Sequence, residues 1–174
     1  MRLFLNILGF QTAWWACIAG VGRGLEIPAL VYGLVLAGLH LRFAQQPRQE
    51  AKLAALALVV GMAADTLLQM ASVIRFYGWA LGPLSPFWLW LLWVLFAMTL
   101  NTSLAFLQTH TLWLSALAGL LFGPLTYYAG AQLGAASFDS TPFHFGVLAI
   151  TWGFALSVLA FASKHFFTPS KGLS

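Results

Sequence analysis

Asp65 is the residue least suited to its surroundings: it lies within GMAADTLLQ (residues 61–69), in the middle of a run of about twenty apolar residues. A carboxylate at that depth costs roughly 2.5–3.5 kcal/mol on insertion scales, so it turns toward protein or water and becomes a candidate functional group. Gly61, Asp65, Gln69 and Ser72 recur at i, i+4, i+8 and i+11, which is one stripe of a helix. Gly61 on that stripe would let a neighbouring helix approach the carboxyl. A carboxyl so placed could couple to a proton, bind a ligand, or activate water if a second group positioned it; only Tyr, Gln or Glu26 is on offer for that. The alternative role is structural, as a hydrogen-bond hub or a protonated acid donating one bond.

The partner surface expected for Asp65 is GLLFGPLTYYAGAQLGA (119–135). Gly119-x-x-x-Gly123 and Gly130-x-x-x-Gly134 permit close packing, and Pro124 leaves the carbonyl of Leu120 without its helical donor. A kink there places Tyr127, Tyr128 and Gln132 at the depth of Asp65 and Gln69. The expectation is one polar cavity, lined by Asp65, Gln69, Tyr128 and Gln132 and open toward the outer leaflet, with Tyr127 a further ligand-binding candidate. A second polar group combines Asn101, Thr102 and Ser103 with Asn6 and Gln11. Asn101 and Gln108 share a helix face, so interhelical hydrogen bonding accounts for them, with Asn101 retained as a binding candidate. The histidines, at 40, 110, 144 and 165, form no HExxH and no i, i+4 pair, so no metal site is expected. No GxSxG elbow, phosphate-binding glycine loop or dinucleotide fingerprint occurs, so no cofactor is expected either.

These residues must be positioned by membrane-spanning helices. The chain has 174 residues, 61% hydrophobic and 7% charged, against about 25% charged in an ordinary soluble domain. Its mean hydropathy is +0.87. Six apolar runs, at about 3–21, 25–43, 53–74, 87–108, 111–135 and 143–166, are each long enough to cross about 30 Å of hydrocarbon. The fold expected is an all-α, six-helix transmembrane bundle in one domain (1–174), with no internal repeat. Asn6, Gln11 and the Trp14-Trp15 pair argue that the first run is a retained span rather than a cleaved leader. Arg23 and Glu26 share one membrane surface and could pair there, and residues 44–52 form the one strongly polar loop. Arg2, Arg42, Arg48, Lys52, Lys164 and Lys171 fall on one side, against Arg23 and Arg75 on the other, which predicts cytoplasmic termini. The net charge of +4 therefore reads as topology and headgroup contact, not nucleic-acid binding. Cys17 is the sole cysteine, so no internal disulfide is possible. The eight tryptophans read mostly as interfacial belt residues.

Four stretches carry a resemblance: LNILGFQTAWWAC, GMAADTLLQ, SPFWLWLLWVLFAMTLNTSLAFL and GLLFGPLTYYAGAQLGA. Together, with the W-x-x-F-A-x-T-L-N-x-S and G-P-x-x-Y-Y-A-G patterns, they resemble a family of small bacterial inner-membrane proteins catalogued as a domain of unknown function, over nearly the whole chain. Relatives carry His where Thr102 stands here, so the resemblance supports no histidine-based role. Its gene neighbourhoods, with cyclopropane-fatty-acyl-synthase-like enzymes, imply membrane-lipid work, with membrane lipids and lipid-modifying enzymes as partners. A weaker likeness, through Gly61 and Asp65 alone, is to multispanning lysoplasmalogenases, and would imply ether-lipid hydrolysis at Asp65. The leading expectation is a lipid- or fatty-acyl-associated inner-membrane component with a cavity at Asp65, a binding pocket rather than an enzyme. Its rivals are a transporter or substrate-binding subunit for a small solute and a non-catalytic structural partner.

Overall fold

The computed structural model describes residues 2–109 and 111–167. His110 and Lys171 lie outside the described residues. Among the described residues, seven helices follow in order: α1 (Arg2–Arg23), α2 (Glu26–Phe43), α3 (Pro47–Met70), α4 (Phe87–Leu100), α5 (Phe106–Thr109), α6 (Leu112–Gln132) and α7 (Pro142–Phe167). Two short strands, β1 (Arg75–Phe76) and β2 (Ala136–Ser137), pair antiparallel as a ribbon at one end of the bundle. Five helices, α1, α2, α3, α6 and α7, are long and apolar enough to cross a membrane. The chain is an all-α, multi-pass membrane bundle.

Two boundaries differ from expectation, for local chemical reasons. Most of the polar stretch 44–52 is helix: α3 begins at Pro47, whose fixed φ and missing N–H suit a first helical position. The fourth apolar run breaks after Leu100. α4 has 14 residues, about 21 Å at 1.5 Å per residue, and a turn over 101–105 leads to α5. Thr99 Oγ1 donates to Phe96 O at 2.6 Å, while Asn101 and Ser103 donate their side chains to other helices. Such groups compete with the helical ladder, and irregular backbone is tolerated in a membrane bundle only where protein buries it. Here α4 is enclosed: ten of its residues are buried, among them Trp88, Trp93 and Met98, and it packs against α1, α2 and α3.

The helices α3 and α6 end in the same way. α3 and α6 both end in a left-handed residue, Ser72 (φ 57) and Gly134 (φ 81). Val73 N donates to Leu68 O and Ala135 N to Gly130 O, each at 3.0 Å, the paired bonds that close such a helix end. Each helix then runs directly into a ribbon strand, and Arg75 pairs with Ser137. α3 packs on α7, whereas α4 and α6 do not pack closely.

Candidate functional site

Asp65 is completely buried, between α3, α4 and α6. Trp93 Nε1 donates to its Oδ2 at 2.8 Å, and the Tyr127 hydroxyl donates to its Oδ1. Both carboxyl oxygens act as acceptors, and among the described residues no Lys, Arg or His lies within ion-pair distance. Glycines fix this geometry. A Cβ on Gly61 would stand 2.0 Å from Trp93 Cγ, and one on Gly123 2.2 Å from Trp152 Cγ. Each ring therefore lies flush against the helix beside it. The two indoles stack at 4.5 Å between centroids and 20° between planes. On α6, Gly119 serves the same packing, since its Cβ would meet Trp152 O at 2.4 Å.

The polar cavity expected from the sequence does not assemble. Asp65 meets Tyr127, but Tyr128 is one residue further round the helix, about 100° away, where it is exposed and packs on Phe145. Gln132 is exposed at the end of α6. Gln69 turns to the ribbon: its Oε1 accepts from Phe76 N at 3.3 Å, and its Nε2 is 3.5 Å from Pro83 O. With Ser72, Arg75 and Asp139 it lines a separate, open polar bowl of about 540 Å³. The Arg23–Glu26 pair does not form among the described residues. Glu26 Oε2 instead accepts from Trp79 N at 2.8 Å, holding the 75–87 connection onto α2.

Asn101 joins three helices. Its Nδ2 donates to Glu50 Oε2 at 3.2 Å, and Ser163 Oγ donates to its Oδ1 at 2.6 Å. His40 Nε2 lies 3.4 Å from the same Glu50 oxygen. Ser103 Oγ donates to Asn6 Oδ1 at 2.7 Å, tying the break after α4 to α1. Glu50 and His40 were not singled out from the sequence. Pro47 followed by an acid in the first helical turn is a helix-start signal, and it moves Glu50 from loop to helix.

What the structure does open is a narrow apolar cleft of about 50 Å³ at the seam where α4 and α6 stand apart. α1 contributes Phe10, Trp14 and Ile18 to it, and α4 contributes Trp88, Leu89, Leu92, Trp93 and Phe96. Thr126, Tyr127 and Gly130 of α6 and Trp152 of α7 form the opposite wall. The inward residues of the ribbon, Phe76 and Ala136, close its end. Eight of these lining residues are aromatic, and ring pairs run through the wall: Phe10 on Phe96, Phe96 on Trp152, Tyr127 on Trp152 and Phe76 on Tyr127. From Trp88 to Phe96 the cleft extends about 12 Å along α4 at 1.5 Å per residue. α1 and α6 meet near the ribbon, where a Cβ on Gly130 would touch Ile18 Cδ1 at 3.4 Å. Trp93 and Tyr127, the two donors to Asp65, belong to the cleft wall, so the carboxyl acts on the cleft from behind it. Trp152 Nε1 in the same wall is buried with no partner in hydrogen-bond geometry.

A family profile described as "Protein of unknown function (DUF2878)" matches residues 3–158. The chain belongs to that family. No curated protein and no solved structure matches it. Both patterns that carried the resemblance fall at the site: W-x-x-F-A-x-T-L-N-x-S holds Trp93, Phe96, Asn101 and Ser103, and G-P-x-x-Y-Y-A-G holds Gly123, Tyr127 and Gly130. Among the described residues, no group of three His, Cys, Asp or Glu could hold a metal ion.

Proposed function

We propose that this family member is a multi-pass inner-membrane protein, its termini cytoplasmic, that takes an apolar ligand from the bilayer into the aromatic cleft. The observation that carries this is the lining itself: eight aromatic side chains from four helices and the ribbon around a space with almost no polar surface. A well-formed apolar pocket with a few convergent polar groups is the usual form of a small-molecule site. In a membrane such a pocket is supplied from the hydrocarbon, and lipid tails or other membrane-partitioned molecules are the natural occupants.

In this reading Asp65 is a positioning residue. It fixes the rotamers of Trp93 and Tyr127, whose rings form the wall. The reading is tested in nanodiscs with a photoreactive fatty acid, mapping labelled peptides. Label concentrated in α1, α4 and α6 supports it, particularly if Gly130→Leu, which fills the cleft, removes the label. Label confined to the lipid-facing side of α2, unchanged by Gly130→Leu, overturns it.

One observation favours transport as a second reading. The backbone leaves the helical path over 101–105, and interrupted helices at depth are a mark of substrate pathways in transporters. Uptake or efflux of a cleft ligand by proteoliposomes, lost in Gly130→Leu, distinguishes transport from binding alone.

A further inference from the structure

We propose that the open bowl on the solvent-facing side of the ribbon binds a zwitterionic ethanolamine phosphate group, carried by a phospholipid or by a free solute. The bowl is separate from the aromatic cleft, so the proposal stands whether or not the cleft holds a ligand.

The ribbon divides the two spaces through the alternation of its strands. Phe76 and Ala136 turn inward and close the cleft. Arg75 and Ser137, paired across the ribbon, are exposed and line the bowl. Gln69 and Ser72 at the end of α3 and Asp139 beyond β2 complete a space of about 540 Å³, within the usual range for a small-molecule site.

Two opposite charges face this space without neutralising each other. His40 and Glu50 form the one ion pair among the described residues, so Arg75 and Asp139 are not paired. Arg75 is held aside: its guanidinium lies over the Tyr77 ring, 5.8 Å from the centroid, and the Tyr77 hydroxyl donates to Ser137 Oγ at 2.9 Å. A guanidinium presents a fork of donors that fits phosphate or carboxylate oxygens. A primary ammonium brings three donors, for which the Asp139 carboxylate and the Ser72 hydroxyl are acceptors. A simple anion would meet Asp139 with like charge, and a simple cation would meet Arg75 in the same way; a zwitterion satisfies both.

Position favours a headgroup. α3 and α6 end at Met70 and Gln132, just before the ribbon, which sets the bowl where the spans leave the hydrocarbon. Tyr77 and Trp79 of the adjoining connection are exposed, as aromatic residues at headgroup level are.

The test is native mass spectrometry of the full chain titrated with phosphatidylethanolamine, phosphatidylcholine or phosphatidylglycerol of identical acyl chains. Phosphatidylethanolamine should bind about fivefold tighter than either of the others, the upper scale of one solvent-exposed charge contact. Phosphatidylcholine lacks the ammonium N–H donors and phosphatidylglycerol lacks the ammonium. Arg75→Gln should weaken all three lipids, whereas Asp139→Asn should weaken phosphatidylethanolamine alone and erase its lead over phosphatidylglycerol. Both residues are exposed, so neither change disturbs the core. Calorimetry with glycerophosphoethanolamine, the chain being held in phosphatidylcholine nanodiscs, separates the sources. Saturable binding that Asp139→Asn removes assigns a soluble ligand; a phosphatidylethanolamine preference without it assigns the lipid. Equal binding of the three lipids together with no binding of glycerophosphoethanolamine would overturn the proposal. So would a phosphatidylethanolamine preference that Asp139→Asn leaves intact.

Discussion

Removing the Asp65 carboxyl is the perturbation that separates a positioning role from a merely tolerated buried acid. In Asp65→Ala, Trp93 Nε1–H and Tyr127 O–H both lose their acceptor in a site with no water access. An orphaned buried donor costs about 1–3 kcal/mol, which puts the two together at about 2–6 kcal/mol. Interhelical hydrogen bonds measured within membranes average about 0.6 kcal/mol with a maximum near 1.7, so the lower part of that range is expected. A double-mutant cycle with Tyr127→Phe isolates the pair, because that variant keeps the ring and removes the donor. The coupling expected is about 1–2 kcal/mol, measured by reversible unfolding of micelle-embedded protein with circular dichroism. Additivity within about 0.3 kcal/mol would show that the Tyr127–Asp65 contact contributes nothing, and the positioning argument would fail.

Gly61→Ala and Gly123→Ala should each destabilise by about 1–3 kcal/mol or more in the same unfolding assay, because their Cβ atoms would sit 2.0 and 2.2 Å from indole atoms. Gly38→Ala, with nothing within 4 Å, should be neutral or stabilising by up to about 1 kcal/mol. Ser72→Gly should stabilise by up to about 1 kcal/mol, since a left-handed φ of 57 costs any residue with a Cβ; equal stability would show that Ser72 makes a compensating interaction. Glu26→Gln should speed hydrogen exchange at the Trp79 amide, which donates to the Glu26 carboxylate at 2.8 Å. Unchanged protection would mean that the 75–87 connection is held by its other bonds alone.

The bundle was legible because hydrophobic length is a direct physical signal, and Asp65 because an acid in such a run is costly. Its partner was legible only to the segment. GPLTYYAG announces a close-packed helix, but choosing Tyr127 over Tyr128 requires knowing how that helix is rotated, and Gly123 against Trp152 sets that rotation. The break after Leu100 lay in a polar cluster already noticed. Hydropathy averages over it, and only the destinations of the Asn101 and Ser103 side chains show that the helix ends. The cleft was hidden for another reason: Trp88 reads as a belt residue, and nothing in its sequence context tells that its ring converges with those of Phe10 and Trp152 across a seam that fails to close.

The central claim is that this seam is a ligand site, and the most direct measurement is the density within it. An experimental structure of the protein in lipid nanodiscs should show elongated density between α1, α4 and α6, along the rings that line the cleft. An empty cleft in that preparation, or one closed by contact between α4 and α6 as α3 and α7 are closed, would contradict the account.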